Sequence, residues 1–364
     1  MDNHLTGNIG EWSEIYALFK LLGDGKIHAG DEDMNLTDIY YPILAVLRQE
    51  QDNFYQYCTD PNQKFVIVIE NKQKLVEVDM LVFQQEAQKL LFRMKQAKKN
   101  AERTFCAEEA EAFMQSIKCK TLKADSNQKA DIRIVIHDLR TGMTPTLGFS
   151  IKSQIGGNST LLNASNATML TFHIKGTKLS DEQIEEINVI ESQQERMNKL
   201  QELGGALQLH EYVNSTFEDN LVFTDSLLPQ VLALYICNFY TTKKSKFNDL
   251  TPSIANDNHI GVRNPHIYYE HKIKQLLVDA ALGMTPASVW TGIYDATGGY
   301  IVVKENGDMV CYHFYNRNEL ENYLYKNTRF DSPTRKRFGG WGTLFRGEDG
   351  EVYIKLNFQI RFIN

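Results

Sequence analysis

The sequence predicts a mixed α/β fold with two domains, and three observations carry that reading. The segment Asp131–Gln154, DIRIVIHDLRTGMTPTLGFSIKSQ, alternates apolar and polar residues on both sides of a turn-like stretch. Helical periodicity dominates the segments 8–22 and 79–104. At 364 residues the chain is long enough for a large core and a second domain.

Composition narrows the class. The N-terminus, MDNHLTGNIGEW, lacks the basic region and apolar core of a signal peptide. The apolar stretch around Leu227–Tyr240 is too short and interrupted to span a bilayer, and it reads as a core helix. Five scattered cysteines without a CxxC spacing suggest neither a zinc site nor a disulfide framework. Thiols in a reducing cytoplasm are the expectation, with no membrane partner. A net charge of −7 argues against a nonspecific nucleic-acid coat protein. It does not exclude a DNA enzyme, whose affinity comes from a local basic surface.

In chain order, residues 8–22 form an amphipathic helix capped by Asn8 and ended by Gly23. Trp12, Ile15, Leu18, Phe19 and Leu22 share its apolar arc. Glu11 falls inside that arc and Glu14 at its edge. A carboxylate in a first turn interacts favourably with the helix N-terminus, which is the plain reading for both. The functional reading aims Glu11 at a metal. Residues 40–48 are helix or strand. Two strands, 65–70 and 75–78, join at Asn71-Lys72. Helices cover 79–104 and 107–117, and a polar linker spans 123–129.

The hairpin is the chemical centre. Ile132, Ile134 and Ile136 point one way, as do Leu147, Phe149 and Ile151 on the second strand. If both rows pack on one core, Asp131 and Lys152 end on one face. An acid on one strand and a lysine on the next are the heart of a PD-(D/E)xK nuclease site. Here the second half reads Ser150-Ile151-Lys152, so serine stands where that pattern has a carboxylate. The plain alternative is a half-buried hairpin with a solvated polar face.

After Lys152, Gly156-Gly157 break the strand. Asn158, Asn163 and Asn166 follow, offering amides to phosphates or base edges, or simply an Asx-rich polar loop. A strand returns at 168–174, and a boundary is expected near 176–180. Then come a charged helix at 181–202, helices near 225–240 and 265–282, and a basic loop, TTKKSKFNDL. From Val289 the chain is β-rich, with a strand pair turning at Glu305–Asp308. Arg329, Arg335, Lys336, Arg337 and Arg346 form the densest basic segment, suited to guanine or phosphate or to a solvated turn. An alternating strand, YIKLNFQIRF, follows.

Collinear with these pieces, the sequence resembles the HpaII family of type II restriction endonucleases over nearly its whole length. The resemblance rests on GNIGEWSEIYALFKLLGDGK, the Asp131 hairpin with GFSIKSQIGGNSTLLNASNAT, YDATGGYIVVKENGDMVCYHFYNRNELENYLYKNTRFDSP and KLNFQIRF. It implies a PD-(D/E)xK restriction-endonuclease-like mixed sheet flanked by helices, in residues 1–180. A second α/β domain, 181–364, is a candidate for DNA recognition. It implies Mg²⁺-dependent cleavage of double-stranded DNA at CCGG, with a cognate cytosine methyltransferase as functional partner.

Within that expectation Asp131, Glu11 and the Ile151 carbonyl hold Mg²⁺. Lys152 acts beside the attacking water, Ser150 orients a water and Gln154 bonds the phosphate or a base. A palindrome implies a homodimer on DNA, or a monomer that nicks twice. The competing readings are a nonspecific or repair nuclease of the same fold, and a degenerate nuclease that only binds DNA.

Overall fold

The computed structural model of the chain describes residues 4–50, 53–60, 62, 64–123, 130–294, 296–334 and 338–363. It opens with a short strand β1 (Thr6–Gly7) and helix α1 (Ile9–Asp24). The Asn8 side chain accepts the Glu11 N–H, and the Glu11 carboxylate accepts the Asn8 N–H, a reciprocal capping box. A good N-cap contributes about 1 kcal/mol. The helix runs through the expected stop at Gly23 to Asp24 and is capped by Gly25, whose φ of 65° is left-handed.

Strands β2 (Lys26–Gly30), β3 (Leu36–Glu50), β4 (Asn53–Asp60), β5 (Phe65–Glu70) and β6 (Gln73–Asp79) follow. The stretch left open as helix or strand is thus the middle of β3. Pro42 there cannot donate to a helix, whereas the stretch finds strand partners on both sides. The β5–β6 turn is made by Asn71 and Lys72, both at positive φ, as a tight hairpin requires. Helix α2 (Met80–Lys99), strand β7 (Phe105–Cys106) and helix α3 (Glu108–Ser116) lead to β8 (Ile132–Ile136) and β9 (Thr146–Ser153).

Next come β10 (Thr160–Leu162), β11 (Met169–Lys175), α4 (Asp181–Val189), α5 (Gln193–Glu202), β12 (Ala206–Tyr212), α6 (Ser215–Thr224), α7 (Leu228–Thr241), α8 (Phe247–Asp257) and α9 (Pro265–Leu282). The expected single helix over 181–202 is therefore two, interrupted at Ile190–Ser192. The expected basic loop is shorter, because Phe247 is fully buried and starts α8. The chain ends with β13 (Gly299–Val303), β14 (Met309–His313), α10 (Arg317–Asn327), β15 (Thr328–Asp331), β16 (Leu344–Arg346), β17 (Val352–Asn357) and β18 (Gln359–Phe362). The expected last strand breaks at Phe358, and its halves join different sheets.

Two compact units result. One comprises residues 1–159, 294–323 and 364, and the other 160–293 and 324–363. This division differs from the boundary expected at 180. Strand β11 pairs with β12 and β17 in the second unit, while β13 and β14 return to the sheet of the first. No local sequence signal marks such a return.

The first unit carries a nine-stranded mixed sheet in the order β2-β14-β13-β9-β8-β3-β4-β5-β6. Pairing is parallel for β13–β9 and β14–β2 and otherwise antiparallel. Strand β2 also pairs with β3, so the strands between them close on themselves. Helix α1 buries Trp12, Ile15, Leu18, Phe19 and Leu22 in one cluster with Ile132, Ile134, Ile136, Leu147, Phe149 and Ile151. Both apolar rows of the β8–β9 hairpin thus face one core. The second unit has an antiparallel sheet β12-β11-β17-β16 and a smaller sheet β10-β18-β15. Its core includes Leu232, Ile236, Leu250, Ile254, Ile273 and Leu276 from α7, α8 and α9. Among the described residues no single helix is long and apolar enough to cross a membrane.

Candidate active site

The β8–β9 register sets Ile132 opposite Phe149, which brings Asp131, just before β8, beside Ser150. One carboxylate oxygen of Asp131, Oδ2, accepts the Ser150 hydroxyl at 3.0 Å and the Ile151 backbone N–H at 2.7 Å. The N–H and C=O of one strand residue project to the same edge. The Ile151 carbonyl therefore lies on the Asp131 side of β9, away from β13.

Lys152 follows on β9. Its Nζ lies 5.5 Å from the centre of the Tyr300 ring. Among the described residues it has no hydrogen bond or ion pair. Burial pushes the ammonium below its ordinary pKa, and the charges of Asp131 and Glu14 pull it back up.

Helix α1 packs over this hairpin and delivers Glu14. Burial, and next the negative charge of Asp131, push the Glu14 carboxyl up to about 8, against Lys123 and Arg48. Two acids thus share one poorly solvated region and cannot both ionise cheaply. The donor set of Asp131, Glu14 and the Ile151 carbonyl consists of hard oxygens. Mg²⁺ is commonly held by one or two carboxylates while keeping several waters, so this set fits it. Among the described residues no group of three or more His, Cys, Asp or Glu side chains could hold a metal alone.

Glu11, expected as the remote acid, is otherwise engaged. Its carboxylate closes the α1 capping box and lies 3.4 Å from Lys123 Nζ. The pattern Asn8-x-x-Glu11 was the sequence signal for that role. Glu14, read from sequence as a helix-terminus carboxylate, comes under the charge of Asp131 only through the way α1 docks. Ser150, expected to orient a water, donates its hydroxyl to Asp131. Gln154 Nε2 lies 3.3 Å from Met34 Sδ, with no bond to Asp131 or Lys152.

The candidate DNA contacts are dispersed. Asn158 is half-buried in the first unit, and Asn163 and Asn166 are exposed in the second. Arg329 lies half-buried on β15 beside Arg361. Arg346 is paired with Asp181 at 2.6 Å. Arg335 and Arg337 lie outside the described residues.

The model of the HpaII restriction endonuclease family matches residues 8–362. The chain belongs to the HpaII restriction endonuclease family. It is 44% identical to "Type II restriction enzyme HpaII" from Haemophilus parainfluenzae, over 100% of both chains. As a member of the HpaII family it is a type II restriction enzyme, a site-specific deoxyribonuclease. No solved structure matches it significantly.

Proposed function

We propose that this enzyme cleaves double-stranded DNA at CCGG, and that Asp131, Lys152 and Glu14 form its catalytic centre on a PD-(D/E)xK-like core. The observation that carries the reading is the convergence of an acid from β8, a lysine from β9 and a second acid from α1. Full-length similarity to the Haemophilus enzyme supports the substrate and target.

Asp131, Glu14 and the Ile151 carbonyl would hold Mg²⁺. The ion would neutralise phosphate charge and make water more acidic. Ser150 and the Ile151 N–H fix Asp131 through Oδ2, so Oδ1 would be the oxygen offered to the cation. Lys152 carries its charge on a stem with no competing carboxylate bond, so it is available to the scissile phosphate and the extra negative charge of the transition state. Its lowered pKa also suits exchange of a proton with the attacking water. The serine variant of the motif thus moves the second carboxylate from β9 to α1.

The Asn158, Asn163, Asn166 and Arg329 side chains, with Arg335 and Arg337, remain our candidates for reading or gripping DNA. A palindromic target favours a homodimer, acting in the cytoplasm, where a cognate cytosine methyltransferase would protect the host genome. The test is digestion of unmethylated plasmid with and without Mg²⁺, alongside Lys152→Ala. Discrete fragments ending at CCGG, only with metal and only with Lys152, are expected. A smear would favour a nonspecific nuclease. A gel shift without cutting would favour a DNA-binding protein. A fully active Lys152→Ala would remove the site.

A further inference from the structure

A cleft of about 400 Å³ opens beside Lys152, lined by Asn8, Ile9, Gly10, Arg103, Gly156 and their neighbours. It is electrostatically one-sided. Glu102 also lines it, but Arg93 holds that carboxylate through two bonds, at 2.7 and 3.3 Å, and Asn100 adds a third. These bonds keep the Glu102 carboxyl below its usual range. Arg103 is exposed, and among the described residues it has no hydrogen-bond or ion-pair partner. Its own neighbour's charge is therefore already taken, and its fork is left for something outside the chain.

The α1 end of the lining supports the same sign. Asn8 caps the Glu11 N–H and the Asn8 carbonyl accepts that of Trp12, so the Ile9 and Gly10 N–H groups have no intrahelical acceptor. They add the positive end of the α1 dipole to the cleft. On the strand side Gly157 presents bare backbone, with nothing within 4 Å of where a Cβ would stand. That leaves room for a sugar–phosphate chain.

We propose that Arg103 is a positioning residue that grips a DNA backbone phosphate neighbouring the scissile one, seating the strand in this cleft against Lys152. This rests on the Asp131–Lys152 centre proposed above. Arginine forks onto phosphate oxygens, and such a contact fixes register without reading sequence.

The test uses the full chain and a short duplex carrying one CCGG. Arg103→Ala should raise the duplex Kd and KM about 5–20-fold and lower the slope of log K against log salt by about one. Most of the loss should be in KM and not in kcat. Arg103→Lys, which keeps the charge, should recover most of the slope. A neutral methylphosphonate at the contacted linkage should weaken the native enzyme but add nothing to the Arg103→Ala loss. Unchanged KM and slope in Arg103→Ala, beside an inactive Lys152→Ala, would overturn the phosphate grip alone. So would a fall in kcat with KM intact. An active Lys152→Ala would instead remove the catalytic centre, and the grip with it.

Discussion

Asp131 Oδ2 accepts the main-chain N–H of Ile151 at 2.7 Å, one strand across the hairpin. The acid just before β8 is thus fixed by the backbone of β9, at the residue before Lys152. Ser150 adds a hydroxyl to the same oxygen at 3.0 Å. Position 150, where a PD-(D/E)xK pattern would have a carboxylate, holds a serine that hydrogen-bonds one.

This arrangement separates two variants. Asp131→Asn should lower the single-turnover cleavage rate by about 10²–10³-fold or more, while duplex binding persists. Ser150→Ala should cost about 1 kcal/mol, a several-fold drop in rate, because the Ile151 N–H still holds Asp131. Rapid-quench cleavage of a short duplex measures both. A Ser150→Ala enzyme as inactive as Asp131→Asn would mean that the serine does more than orient.

If Glu14 holds Mg²⁺ as proposed, metal activation should depend on pH. Its carboxyl is raised to about 8, by burial first and by Asp131 next, so below that pH it is mostly protonated. A cation must displace that proton to gain the ligand. Apparent Mg²⁺ affinity should therefore rise with pH up to about 8 and level off above it. Glu14→Gln should weaken Mg²⁺ activation and flatten the dependence. Titrations of cleavage rate with Mg²⁺ at pH 6.5, 7.5 and 8.5 (chosen to bracket about pH 8) decide it. An unaltered slope in Glu14→Gln would exclude Glu14 as a ligand.

His313, at the end of β14, sets a pH dependence of stability in the first unit. It is buried between Tyr41, Tyr315 and Phe149, and burial lowers its pKa to about 4. The unfolded chain takes up a proton near pH 6.5, and the folded chain resists until about 4. Stability from this group is complete above the unfolded value and is lost as pH falls through that window. The loss is about 2 kcal/mol at about pH 5. Urea unfolding at about pH 7 and pH 5 should show a smaller decrease for His313→Phe than for the native chain. Equal decreases would show that other groups carry the acid sensitivity.

Gly299 anchors the return of β13 to β9. Its φ is 104°, and a Cβ there would sit 2.0 Å from the Tyr312 carbonyl oxygen. Gly299→Ala should destabilise the fold by about 1–3 kcal/mol through backbone strain, and by more if the β13–β14 pair cannot shift. Thermal unfolding reads this directly. An unchanged midpoint would contradict the packing of Gly299 against β14.

Much of the local structure was determined by the sequence alone. The period-two rows of β8 and β9, the Asn8 cap and the Asn71-Lys72 turn need only neighbours within a few residues, and each formed as its pattern dictates. The placing of Asp131 and Lys152 on one paired hairpin was legible for the same reason, because a hairpin's register follows from its alternation. Family membership was legible in long collinear motifs.

Tertiary structure alone decided what depends on distant partners. Glu11 and Glu14 lie three residues apart on one helix, and only the docking of α1 on the hairpin brings Glu14 under the charge of Asp131. The division of the chain into units was hidden because β13 and β14, from Gly299 on, rejoin a sheet begun far earlier, at Lys26. Arg103 carries no sequence signal of its own; only the fold places it in one cleft with Lys152 while Arg93 takes up the charge of Glu102. Local patterns fix which way a side chain points. Which charges end up sharing a poorly solvated space is fixed only by how the elements pack.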